Sequence, residues 1–182
     1  MKLGRYLTLE EFCTCTQTYH KYAQDIDPYP KNPASLQALK ELNYFILDSI
    51  IDRFGRDNFS LTYGFCSVDL KSFLAKKDPL TGIKNGRVEP SLDQHMVQEV
   101  NRNGNYYCSR LGSACDFRIT NVDSEEVVNW ILAAGLPFDS LYYYGFNRPI
   151  HISYGFQHKR DIWTFTTTGQ PTRKGIEKWV NT

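Results

Sequence analysis

The chain has 182 residues, 41% of them hydrophobic and 23% charged, which fits one globular domain with a core of useful size. Its net charge of +1 excludes a global field that would recruit nucleic acid or an anionic membrane, so either kind of binding would need a local patch. No apolar run approaches the roughly 20 residues of a membrane span, and no internal repeat or low-complexity tract divides the chain. The first eight residues, from Met1 to Thr8, lack the apolar stretch of a signal peptide. A cytoplasmic location without a membrane partner is therefore expected. Cys13, Cys15, Cys66, Cys108 and Cys115 form no CxxC pair, so neither a zinc ribbon nor a thioredoxin-type motif is encoded locally, and reduced, mostly buried thiols are expected.

Thr8-Leu-Glu-Glu11 is a capping box and predicts a helix to about Ala23. Asp27-Pro-Tyr-Pro30 breaks it, and Asn32-Pro33 opens the longest helix, with proline at its first position. Leu36, Leu39, Leu42, Phe45, Ile46, Ile50 and Phe54 recur at helical spacing until Gly55, a stripe that belongs to the core. A strand is predicted over Phe59–Tyr63 and a short helix from Ser67 to about Lys77. Asp78 to Arg87 is turn-rich and reads as an exposed loop. Ser91 would cap a helix to about Val100, on which His95 is expected to be exposed or partly packed. A strand over Cys115–Ile119, a helix opened by Asp123-Ser-Glu-Glu126, and strands over Ser140–Tyr144, Ile150–Tyr154 and Asp161–Thr167 follow. Helices come first and strands cluster late, which predicts an α+β domain over 1–182 with a mainly antiparallel sheet.

Two stretches carry the chemistry. In Tyr106–Phe117, the small residues Gly112, Ser113 and Ala114 let two backbones approach closely, and Asp116 follows them. In Pro149–Tyr154, His151 sits within a β-branched run. An aspartate and a histidine are ligand types for zinc or partners in acid–base chemistry; a turn-capping Asp and a sheet-paired His are the structural alternative. Tyr142-Tyr-Tyr144 alternates across two strand faces, so one ring should line a cleft while another packs inward.

The order of these elements resembles the zinc D-Ala-D-Ala carboxypeptidase-like family, which shares its fold with the hedgehog signalling domain. Tyr63-Gly-Phe-Cys-Ser-Val-Asp-Leu70 is similar to the family's SGYRS turn. Tyr107 to Asp116 is similar to its SxHxxGxAxD metal motif, with Gly112, Ala114 and Asp116 in register. Arg148-Pro-Ile-His-Ile-Ser153 is similar to its closing segment. The resemblance implies a hedgehog/DD-peptidase-like fold with a loop and helix insertion around 76–105, and it implies Asp116 and His151 as zinc ligands. Ser109 occupies the place of the first His ligand, Arg148 that of the catalytic acid and Cys66 that of the arginine.

A serine hydroxyl is a poor zinc ligand and an arginine cannot act as a base. The altered cleft is therefore expected to bind an anionic or peptide ligand without peptidase activity and without a cofactor. Arg148 would pair with Asp116 or fork onto a carboxylate, with Arg110, Tyr144 and Ser153 beside it. One alternative is a re-purposed enzyme using Cys66 or Cys108, near Ser109, with His151 and Asp116. Another keeps zinc, with His95 or Cys108 completing the site of Asp116 and His151. A basic patch of His158, Lys159, Arg160, Arg173 and Lys174, interleaved with Trp163 and Phe165, has the ingredients of nucleic-acid binding, although the near-neutral charge argues against it.

Overall fold

The leading segment divides where the sequence offers a second cap. In the computed structural model, which describes residues 1–86, 89–90, 94–165 and 171–173, Thr8 and Glu11 complete the capping box of helix α1 (Leu9–Thr14). Thr16 then accepts from the backbone N–H of Tyr19 and starts α2 (Gln17–Tyr22). The single helix expected to Ala23 is thus two helices, because a threonine side chain satisfies a new set of N-terminal donors mid-run. Pro33 stands in the first turn of α3 (Pro33–Leu42), which continues through a π-helical turn over Asn43–Leu47 into α4 (Asp48–Phe54). Gly55, at φ 90°, ends the run.

Among the described residues six strands form one sheet: β1 (Phe59–Tyr63), β2 (Ser113–Ile119), β3 (Ser140–Tyr143), β4 (Ile150–Tyr154), β5 (Asp161–Phe165) and β6 (Pro171–Arg173), ordered β1-β2-β4-β3-β5-β6. All pairings are antiparallel except β3 with β5. With α5 (Val68–Ala75) and α6 (Ser124–Ala133), this is an α+β protein with a mostly antiparallel sheet. Ser91, Thr166, Thr167 and Lys174 lie outside the described residues.

Each strand sends alternate side chains to opposite faces. Phe59, Cys115, Phe117, Leu141, Ile150, Ile152 and Ile162 join Leu39, Leu42, Ile46 and Ile50 of the long helical run and Val127 and Ile131 of α6 in the main core. The other face carries Asp116, His151 and Tyr142, cross-strand partners in adjacent strands. A second apolar cluster contains Ile26, Cys66, Leu70, Leu74 and Met96.

Two local features set the geometry of that second face. The β1–β2 register slips between Leu61 and Tyr63. Phe59 and Leu61 face the core, and the extra residue turns Tyr63 toward Asp116, its partner on β2. At Gly112, φ is 90° and a Cβ would lie 2.1 Å from the Tyr154 carbonyl oxygen. The close backbone approach expected from the small residues before Asp116 is made there.

The segment expected to be a helix up to Val100 is a chain of turns over Gln94–Gln98, with Val97 at φ 53°. Tertiary anchoring accounts for the difference. Gln94 donates to the Leu111 carbonyl and the Asp139 carboxylate, while Glu99 accepts from Lys31, Asn32 and Ser35 at the start of α3. Those two buried polar groups hold both ends of the segment in places a regular helix would not reach.

The backbone around Gly64 is packed to its limit, since a Cβ there would stand 2.1 Å from the Phe12 carbonyl oxygen, which accepts from Phe65 N–H. Gly64→Ala is expected to destabilise the protein by about 1–3 kcal/mol through overpacking. Urea denaturation measures this, and an unchanged midpoint would contradict the packing described.

Candidate metal centre

A continuous row crosses the sheet from Tyr63 to Asp116, His151, Tyr142 and Trp163, each the register partner of the next. Directly opposed residues share a face, so five strands deliver one line of polar and aromatic side chains. His95 descends on this line from the segment between α5 and β2. Its ring meets Tyr63 edge-on at 4.6 Å and the His151 ring at 5.0 Å. Tyr142 stacks on His151, with centroids 4.4 Å apart and planes 15° from parallel. Both imidazoles are buried, and the aromatic rings fix their orientation.

The Asp116 carboxylate is the centre of the arrangement. One oxygen, Oδ1, lies 2.8 Å from Nδ1 of His151 and 3.4 Å from Nε2 of His95. On the far side of the His95 ring, Nδ1 is 2.8 Å from the Gly64 carbonyl oxygen. A carbonyl only accepts, so Nδ1 donates to it, and in the metal-free protein the ring carries a second proton on Nε2, which faces the aspartate. The His95 carbonyl in turn accepts from Cys66 N–H at 2.9 Å. The imidazole is therefore held at both its ring and its backbone.

Burial, the strongest influence on the Asp116 carboxyl, would raise its pKa. The charge of His95 and the hydrogen bonds from His151 and His95 more than offset that and hold it well below the usual carboxylate range. The side chain as a whole keeps 24% of its surface open.

Two imidazole nitrogens and one carboxylate oxygen, all within 4.8 Å of one another, are donors of the type and number found in open zinc sites. The Gly64 carbonyl behind His95 is the kind of outer partner that orients a ligating histidine. The donor set fits a zinc ion. Of the two metal arrangements read from the sequence, this is the one completed by His95. The expected exposure of His95 is corrected: it is buried and aimed at Asp116.

The other candidate residues are distributed around this centre. Arg110 is half-buried and donates to Ser140 Oγ at 3.3 Å. Burial disfavours its charge, but interactions with the Tyr142 hydroxyl and the Cys108 thiol outweigh that and raise its pKa. Cys108 is buried, whereas Ser109 is exposed. Ser153 is buried on the same face of β4 as His151, and its hydroxyl accepts from Ser140 N–H at 3.0 Å, tying β3 to β4. Cys66 is buried in the second apolar cluster.

Tyr142 is the ring of the tyrosine run that reaches the centre; Tyr143 packs against the core and Tyr144 is exposed beyond the strand. Arg148 is exposed in the turn before β4, and its carbonyl accepts from Ser124. Its expected ion pair with Asp116 is not formed, because the two histidines already occupy the carboxylate.

The basic patch is partly committed to local structure. His158 Nδ1 is 3.1 Å from the Pro137 carbonyl oxygen, and Arg160 donates to the Leu136 carbonyl at 2.8 Å while lying over the Phe138 ring. Lys159 is exposed, and Arg173 contributes its backbone to β6. Cys15, which the sequence reading left among packing thiols, lies within electrostatic reach of Asp116; burial above all pushes its pKa up to about 11.

Comparison with protein-family models, with curated proteins and with solved structures found no match.

Because the folded Asp116 ionises below its unfolded value, its stabilising contribution is complete above the ordinary carboxylate pKa and is lost as pH falls through the depressed folded value. Asp116→Asn is expected to reduce the unfolding free energy of metal-free protein at neutral pH, with the difference from wild type shrinking below about pH 4. Denaturant titrations across acidic pH measure it. A difference independent of pH would refute the assignment.

Proposed function

We propose that this chain is a zinc-binding domain of the hedgehog/DD-peptidase-like fold in which the first histidine ligand has moved from the Ser109 position to His95, and whose cleft holds an anionic or peptide ligand. The observation that carries this reading is the convergence of His95 Nε2 and His151 Nδ1 on Asp116 Oδ1. These three residues would hold the ion. When bound, zinc supplies a Lewis acid for an oxygen of the ligand, since three protein donors leave one tetrahedral position open.

Arg110 gives the cleft its recognition chemistry. It is half-buried, charged and linked through Tyr142 to the face of His151. A guanidinium in that setting favours a planar, bidentate anion such as a carboxylate. Tyr63 and Tyr142 flank the two imidazoles and present apolar ring surface to the rest of such a ligand.

The proposed role is binding rather than peptide hydrolysis. Arg148 stands where the resembled family has its acid, and it cannot accept a proton from water. Among the described residues no second carboxylate joins the cluster. Glu99, the buried acid nearest in sequence to His95, is directed instead to the start of α3, where its Oε1 accepts from Lys31, Asn32 and Ser35.

Elemental analysis of protein purified without chelator or affinity-tag metal tests the reading. About one zinc per chain is expected, with occupancy falling at least about tenfold in His95→Ala and His151→Ala. Equal zinc in His95→Ala and wild type would remove His95 from the site. A wild-type protein that takes up no zinc on supplementation would overturn the metal centre altogether.

A further inference from the structure

The segment after α5 forms a tight hairpin whose exposed side chains are unusual for a surface loop. Asn85 N–H bonds to the Lys76 carbonyl at 2.9 Å, Asp78 N–H to the Ile83 carbonyl at 2.7 Å and Gly82 N–H to the Asp78 carbonyl at 2.9 Å. Lys77 and Lys84 are bridge partners. At the base, Gly86 N–H reaches the Leu74 carbonyl and the Asn85 side chain reaches the Phe73 carbonyl. The loop is thereby fastened to α5.

Its tip displays Leu80, 95% exposed, and Ile83, 70% exposed. Lys76, Lys77 and Lys84 are exposed around them. The single acid of the hairpin, Asp78, uses one carboxylate oxygen within the turn: Oδ1 accepts from Leu80 N–H, Thr81 N–H and the Thr81 hydroxyl. Lys21 of α2 lies in the field of the same carboxylate. The outward face of the hairpin is therefore aliphatic at its tip and cationic at its rim.

Exposed loops are ordinarily polar, and two large aliphatic residues held into water by a hydrogen-bonded turn point to a surface that covers them. The charge pattern selects the kind of surface. Lysines can place their ammonium groups among anionic headgroups while neighbouring aliphatic side chains enter the acyl boundary. We propose that the hairpin spanning residues 76–85 docks on an anionic lipid surface, with Leu80 and Ile83 inserted and Lys76, Lys77 and Lys84 at the headgroup level. The net charge of +1 supplies no general attraction, so the binding would come from this local patch, and it is independent of the metal centre.

Co-sedimentation of the full chain with large unilamellar vesicles tests the proposal, using phosphatidylcholine alone and phosphatidylcholine mixed with phosphatidylglycerol. Partitioning is expected to be about tenfold stronger on the mixed vesicles and to weaken with added salt. Replacing Leu80 and Ile83 together by serine should lower it about tenfold, and replacing the three lysines by glutamine should abolish the preference for phosphatidylglycerol. These side chains are exposed, so circular dichroism should show each variant folded. Equal partitioning on the two vesicle types, or a serine double variant that binds like wild type, would overturn the proposal. Absence of vesicle binding would do the same and would leave the aliphatic tip to a protein partner.

Discussion

A single carboxylate oxygen shared by two imidazoles is the constraint around which this structure is arranged. Asp116 can stay ionised in a largely covered place only because His95 and His151 both face it. Removing either ring would leave buried charge poorly compensated. The sheet supplies two members of the trio without adjustment, since Asp116 and His151 are direct register partners on neighbouring strands. The third comes from outside the sheet. Much of the surrounding irregularity, from the β1 bulge to the left-handed turn at Val97, makes room for it or holds it.

Delivering His95 from a non-helical segment creates a positioning problem that polar anchors solve. Gln94 is tied to Leu111 and Asp139, His95 to Gly64 and Cys66, and Glu99 to the first turn of α3. Each anchor is itself buried, so none can be released to water without losing a satisfied hydrogen bond in a place of low dielectric. Two neighbours of the imidazole, Gln94 and Cys66, connect it to the β3–β4 side and to α5 respectively. The imidazole is thus preorganised by three separate parts of the chain.

Much of the fold was legible because its signals are local. The capping box at Thr8, proline in the first turn of α3, the apolar stripe from Leu36 to Phe54 and the glycine that ends it all act within one helix. Strand alternation around Asp116 and His151 was equally readable, and so were those two residues as candidate ligands. His95 was harder to place. Its segment reads as a short capped helix that would leave the ring exposed or partly packed, and the resemblance placed the first ligand close to Asp116, where Ser109 stands exposed. What distinguishes His95 is a set of long-range hydrogen bonds that its neighbour Gln94 donates and Glu99 accepts. Their types, a glutamine and a glutamate in an otherwise mixed stretch, do not announce burial. Arg148 was misplaced for a related reason. Charge complementarity suggested a pair with Asp116, but an aspartate already held by two histidines has no remaining need of an arginine.

The topology also separates the parts of the site by how firmly they are held. Asp116 and His151 lie on paired central strands, covered on one face by the main core, and such elements open only with the whole domain. His95 depends on a segment anchored by side chains, which can open locally at lower cost. A zinc ion bridging the two would convert that weaker attachment into part of the sheet, because its affinity would add directly to the stability of the closed arrangement. The ring contacts of Tyr63 with His95 and of Tyr142 with His151 reinforce the same division. One aromatic steadies the loop-borne imidazole and the other the strand-borne one. In this arrangement the strand-borne Asp116 and His151 stay fixed, and the loop-borne His95 is the member whose position the rest of the chain can adjust.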